Sequence, residues 1–173
     1  LVGSEMCIRD SAIESVEIEY VGEVGELNFA PLTSATVAGL LSPLLSQVNM
    51  VSAPALAKER GITVSEVRRA SSGAFDSYIR LSVKTERQQR SVAGTVFSDG
   101  KPRIIQVKGI NMEAELAPRV LYVTNLDQPG FIGALGSVLG EHGINIASFN
   151  LGREKPGGDA ISIVSIDNEA SDA

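Results

Sequence analysis

The sequence predicts an α+β protein in two parts, and three observations carry that reading. Between Pro31 and Gly61, apolar residues recur at three- and four-residue spacing. Between Asp76 and Glu115 they recur at every second residue. From Val120 onward, one strand pattern, one helix pattern and two further strand patterns follow each other. The first part therefore reads as a strand, two helices and an antiparallel meander, and the second as β-α-β-β.

Val16-Glu-Ile-Glu-Tyr20 alternates apolar and polar residues, the mark of a half-buried strand. Gly22 and Gly25 loosen the chain after it. Pro31 with Thr33-Ser34 opens a helix that buries Val37, Leu40, Leu41, Leu44 and Leu45 on one face, with Pro43 kinking or splitting it. Ser52-Ala53-Pro54 starts a second helix, since a proline in the first turn gives up an N–H that has no partner anyway, and Gly61 stops it. Ile62-Thr-Val64 is short and β-branched; Ser65–Arg69 is polar and reads as a helical turn or loop. Tyr78–Lys84, Arg90–Phe97, Arg103–Val107 and Ile110–Glu115 are strands, with Asp99-Gly100 as a hairpin turn. Ala117-Pro118 marks the boundary between the two parts.

The second part begins with strand Val120–Thr124. Its helix runs from Gly130 to about Glu141 and buries Phe131, Leu135, Val138 and Leu139. Strand two is Ile144–Leu151, Glu154–Gly158 is a hairpin turn, and strand three is Ala160–Asp167. This is a ferredoxin-like module (βαββ) lacking its final helix and strand. One sheet face and one edge are expected to be exposed as a result. The stretch 1–11 holds the single cysteine, shows no periodicity and resembles translated adaptor sequence. It reads as a non-native leader, which places the first domain at 12–117 and the second at 118–173.

Composition narrows the function. With 173 residues, 43% hydrophobic and 21% charged, the chain can build a core without staples. A net charge of −6 without basic runs argues against a nucleic-acid or anionic-membrane surface, and no apolar run is long enough for a membrane span. One cysteine and one histidine, His142, leave no metal-ligand cluster and no triad. Nothing here forms a catalytic constellation.

The binding chemistry concentrates between Asn125 and Asn145. The first N–H groups of the helix have no internal partner, and the helix dipole favours an anion there. A carboxylate can sit on the N–H groups of Gly130, Phe131 and Ile132. Asp127 can accept from an ammonium, while Asn125 and Asn145 can each donate and accept. Together these groups suit a small zwitterion such as an amino acid. The plain alternative is that Asp127 caps the helix and Asn145 begins a strand.

Four smaller features remain. Gly133, Gly136 and Gly140 give the helix a bare face, for packing on its own sheet or against a partner helix. His142 complements the helix end. Lys101, Arg103 and Lys108, like Arg68, Arg69 and Arg80, read as solvated cations, with anion binding the minority option. Thr33, Ser34 and Thr36 read as caps or, less readily, as an anion nest.

Asp127-Gln-Pro-Gly-Phe-Ile-Gly, with Glu141-His-Gly-Ile-Asn-Ile-Ala, resembles ACT domains, small modules that bind amino acids. Gly140–Arg153 and Ile104–Met112, with Glu23–Thr33 and Asn49–Ile62, resemble the C-terminal regulatory end of the long-form D-3-phosphoglycerate dehydrogenase family. In that family an allosteric substrate-binding domain precedes the ACT domain. The resemblance implies regulation of L-serine synthesis. It places effector-binding residues at Asn125, Asp127 and Asn145, between two ACT domains paired side by side with their first helices close. It also implies self-association, an anion position at Arg103 (with Glu115 and Ser165 where basic residues are expected), and a cytoplasmic location. The parent enzyme's NAD site and catalytic residues would lie upstream, so no cofactor, metal or catalytic residue is expected in this chain. Two further readings stay open: the regulatory part of an iron–sulfur L-serine dehydratase, whose Ser-Ser-His-Thr motif is not matched at Thr33–Gly39, and a free-standing amino-acid-binding regulator.

Overall fold

A computed structural model describes residues 12–71 and 74–168; the expected leader lies outside them. The chain divides into two compact units, Leu1–Ala93 and Gly94–Ala173.

The first unit contains β1 (Ile13–Gly22), a short 3-10 turn (Glu23–Glu26), α1 (Ala30–Leu41), α2 (Ala53–Glu59), β2 (Thr63–Arg69), β3 (Ser77–Thr85) and most of β4 (Gln89–Val96). Its strands lie in the order β2-β1-β3-β4. β1 is central, and its Val16, Ile18 and Tyr20 are buried against Val37 and Leu41 of α1 and Ala53 and Ala57 of α2. Ser65–Arg69 is neither a helical turn nor a loop. It belongs to β2, which pairs in parallel with β1 from Ser15↔Thr63 to Val21↔Arg69. Its polar composition misled because β2 is an edge strand with little buried surface.

α1 ends at Leu41, so Pro43 terminates the helix rather than kinking it. Leu44 lies beyond the helix and is exposed. The residue ahead of α1 is Phe29, and no side chain caps that end. Thr33 is not a cap. Its hydroxyl meets the Tyr20 hydroxyl at 2.7 Å and also donates to Glu66, joining helix to sheet. Thr36 donates to the Leu32 carbonyl.

The face of β1 turned away from the helices carries Glu19, only 4% exposed. Arg69 Nε and Arg80 Nη1 donate to its two carboxylate oxygens at 2.6 and 2.7 Å. Burial pushes the Glu19 carboxyl up. The hydrogen bonds and positive charge of Arg69 and Arg80 outweigh that and hold it below the usual glutamate value.

The second unit contains β5 (Pro102–Val107), β6 (Ile110–Glu115), β7 (Val120–Leu126), α3 (Phe131–Glu141), β8 (Ile146–Arg153) and β9 (Asp159–Ile166). The last three strands form an antiparallel sheet, β7-β9-β8, giving the expected βαββ module. Leu135 and Leu139 of α3 cover one face, on Val164 and Ile166. The other face is not bare as expected. The β5–β6 hairpin lays Ile110, Met112 and Ala114 over Ile161 and Ile163. Gly152 of β8 permits this, since a Cβ there would stand 2.5 Å from the Asn111 carbonyl oxygen. The boundary expected at Ala117-Pro118 therefore falls inside the second unit, because the hairpin packs with the sheet downstream of it. Val138, expected in the core, is 42% exposed.

Candidate functional site

β7 delivers Asn125 to the end of the sheet, where the chain leaves through 127–130 and enters α3. Gly130 stands at the helix start with φ +91°, a left-handed value that favours glycine. The first hydrogen bond of the helix runs from Ala134 N–H to the Gly130 carbonyl. The N–H groups of Phe131, Ile132 and Gly133 thus point out of the helix end.

Asp127 does not cap the helix. Its backbone N–H donates to the Gly158 carbonyl at 2.8 Å. Its Oδ2 accepts from Arg153 Nη1 at 2.8 Å and from the Gly157 N–H at 3.2 Å. Arg153 first, then the Gly157 N–H, hold the carboxyl below the usual aspartate value. The loop before α3 is thereby stitched to the β8–β9 turn.

Asn125 donates through Nδ2 to the Leu126 carbonyl at 2.6 Å, while its Oδ1 is buried without a partner among the described residues. Beside it opens a cleft of about 380 Å³, which brings Lys108 of the β5–β6 turn and Asp159 of β9 to the same end of the sheet.

Asn145 is elsewhere. Its Nδ2 donates to Asp167 Oδ2 at 2.6 Å, and the Asp167 N–H returns to the Asn145 carbonyl. Asn125 pairs with Ala160, whereas Asn145 sits beside Asp167, seven residues further on and just past the end of β9. At about 3.3 Å per residue the two asparagines are roughly 23 Å apart. One chain therefore does not bring the three polar side chains to one place.

The bare helix face is also resolved. Among the described residues, a Cβ at Gly133, Gly136 or Gly140 would meet nothing within 4 Å, so close packing on the module's own sheet does not explain these glycines. His142 Nδ1 lies 2.8 Å from the Val138 carbonyl, at the helix end.

Arg103 is surrounded by acids. It forks onto both oxygens of Asp99 at 2.8 and 3.2 Å, reaches Glu115 at 3.2 Å and stands 3.8 Å from Glu113, with its guanidinium over the Phe97 ring. Asp99 is pulled down to about 2, chiefly by the Arg103 hydrogen bonds. Three carboxylates around one guanidinium leave no excess positive charge for an anion.

Arg153, Gly157 and Asp159 escaped the sequence reading. They stand 26 or more positions from Asp127 and Asn125, and only the β8–β9 hairpin register returns them to this end of the sheet. Gly157 was legible as a turn residue but not as a donor to Asp127.

Comparison with known proteins gives this geometry a family. A model described as the D-3-phosphoglycerate dehydrogenase intervening domain matches residues 5–108, and one for the ACT domain matches residues 119–173. The chain is 34% identical over 167 residues to D-3-phosphoglycerate dehydrogenase of Bacillus subtilis, covering 96% of this chain and 32% of that protein. It is 32% identical over 164 residues to the protein of the same name in Methanocaldococcus jannaschii, covering 94% and 31%. For Synechocystis the figures are 35% over 162 residues, covering 92% and 29%. The chain spans about a third of the length of these relatives. An intervening-domain match followed by an ACT match, on relatives of one name, places the chain in the D-3-phosphoglycerate dehydrogenase family, as the C-terminal regulatory region made of the intervening domain and the ACT domain.

Proposed function

We propose that this region senses L-serine or a similar small amino acid at a site completed by a second copy of the chain, and so regulates a 3-phosphoglycerate dehydrogenase of L-serine synthesis. The observation that carries the reading is the placement of Asn125 and Asp127 at one end of the β7-β9-β8 sheet and Asn145 at the other. A two-fold pair of such sheets, side by side, sets the first end of each copy against the second end of its partner. Isologous pairing does this twice, giving two composite sites. The unpartnered Oδ1 of Asn125 supplies an acceptor for an ammonium, and the open N–H groups of Phe131 and Ile132 supply a seat for a carboxylate. The uncovered glycines of α3 suit the close approach of a partner helix.

The NAD-dependent hydride transfer belongs to the part of the relatives' length outside this chain, in a cytoplasmic parent enzyme. The proposed division at 117/118 separates two family matches, which end at 108 and begin at 119, and not the two packing units, which part at 93/94.

Calorimetric titration of L-serine into the wild type, Asp127→Ala and Asn145→Ala tests the composite site. Each substitution alone should abolish the heat. An equilibrated mixture of the two variants should recover about a quarter of the wild-type capacity, since half the pairs are mixed and each mixed pair keeps one intact site. Equal heats for wild type and Asp127→Ala, or a mixture as silent as its components, would sink the proposal.

A further inference from the structure

We propose that Arg153 is the effector's carboxylate anchor, and that binding proceeds by exchange of ion pairs: a zwitterion takes the places that Arg153 and Asp127 hold for each other. The assignment rests on the amino-acid site described above and names the residue that gives that site its specificity.

Arg153 pairs with Ala160 across β8–β9, and Ala160 pairs with Asn125 across β9–β7. The three residues form one row on one face of the sheet. In the middle of that row Ala160 contributes only a methyl group, so nothing bulky separates Asn125 from Arg153. The same face carries Leu121, Val123, Phe149 and Val164 beneath α3, which puts the row below the N-terminal end of that helix.

Four features thus converge. Two favour an anion, the Arg153 guanidinium and the open end of α3. Two favour a cation, Asp127 and the unpartnered Oδ1 of Asn125. Arg153 and Asp127 satisfy each other at 2.8 Å. Both contacts to the Asp127 carboxylate fall on Oδ2.

Charge balance then selects the ligand. An α-amino acid brings a carboxylate to Arg153 and an ammonium to Asp127, so each charge parted from its neighbour gains a replacement. An amine without a carboxylate claims Asp127 and leaves Arg153 unpaired. A hydroxy acid without an ammonium does the reverse. Either stranded charge opposes binding. The pair therefore rejects ligands carrying only one of the two groups, which a site made of neutral asparagines and backbone N–H groups would not do as sharply.

The test is calorimetric titration of the chain with L-serine, ethanolamine and L-lactate, on the wild type, Arg153→Lys and Arg153→Met. Wild type should bind L-serine at least about tenfold more tightly than either one-charge analogue, the discrimination expected of a charge-assisted contact. Arg153→Lys should keep most of that preference. In Arg153→Met the preference for L-serine over ethanolamine should collapse, because the carboxylate has lost its anchor. Circular dichroism should show Arg153→Met folded, since this side chain is 54% exposed. If Arg153 only shaped the loop, all three ligands would weaken together and the preference would persist, which overturns the assignment alone. No binding of L-serine to the wild type would overturn the composite-site reading along with it.

Discussion

Glu19 shows how a single residue carries a stability claim. A buried carboxylate is costly unless its charge is met, and Glu19 is met twice, by Arg69 and Arg80 from the two flanking strands. Glu19→Gln should cost about 2 kcal/mol in urea denaturation. That is below the ~3–5 kcal/mol for breaking a fully buried pair, because the exposed Arg69 can return to water. The pH dependence follows from the depressed folded-state value. Its contribution is present above the unfolded glutamate pKa and disappears as pH falls through the lower folded value. Wild type should therefore lose more stability than Glu19→Gln between about pH 5 and pH 3, measured by urea midpoints across that range. Asp127 follows the same sign, since Arg153 and Gly157 hold its carboxyl down. Acidification should accordingly loosen the loop before α3, seen as a lower protection factor for the Asp127 amide once the intrinsic pH dependence of exchange is divided out.

At the scale of elements, the β5–β6 hairpin and the helix α3 make opposite demands on glycine. Gly152 is needed because β6 crosses β8 too closely for a side chain: an added Cβ would lie 2.5 Å from the Asn111 carbonyl and 2.9 Å from Ile110 Cγ2. Gly152→Ala should destabilise the chain by about 1–3 kcal/mol, the usual cost of overpacking, with a matching fall in thermal midpoint. Gly136 in α3 has open space around it. Gly136→Ala should stabilise the separated chain by about 0.5–1 kcal/mol through helix propensity. It should also weaken self-association if two α3 helices meet, which sedimentation velocity would report. These two glycines look alike in the sequence. Only the neighbour above Gly152 and the empty space around Gly136 tell them apart. The polar run Ser65–Arg69 was illegible for a related reason: an edge strand in parallel pairing needs no apolar alternation, since its partner β1 already supplies the buried surface.

At the scale of the whole molecule, the proposed effector site is distributed so that a pair of chains would be its smallest complete unit. Site occupancy should then depend on chain concentration. Diluting the wild type through its association midpoint should lower L-serine affinity, and added L-serine should shift that midpoint to lower concentration, by the reciprocity of linked equilibria. Two copies each carrying a charge of −6 repel one another. Raising salt from low ionic strength should accordingly strengthen pairing. Light scattering at several salt concentrations measures this directly.

The sequence by itself determined the α+β class, the order of nearly all elements, the helix start at Gly130 and the family resemblance carried by the Asp127–Gly133 run. These follow from local chemistry: the period of apolar residues, proline and glycine stops, and short motifs read within one turn or one strand. Tertiary structure alone decided that Asp127 bonds to Arg153 instead of the helix, that Arg103 faces three acids, that Met112 covers the sheet beyond Ala117, and that Asn145 lies far from Asn125. Each is set by strand register or by packing between segments distant in the chain. A hydrogen-bonding side chain has many partners within reach, and only the fold selects one.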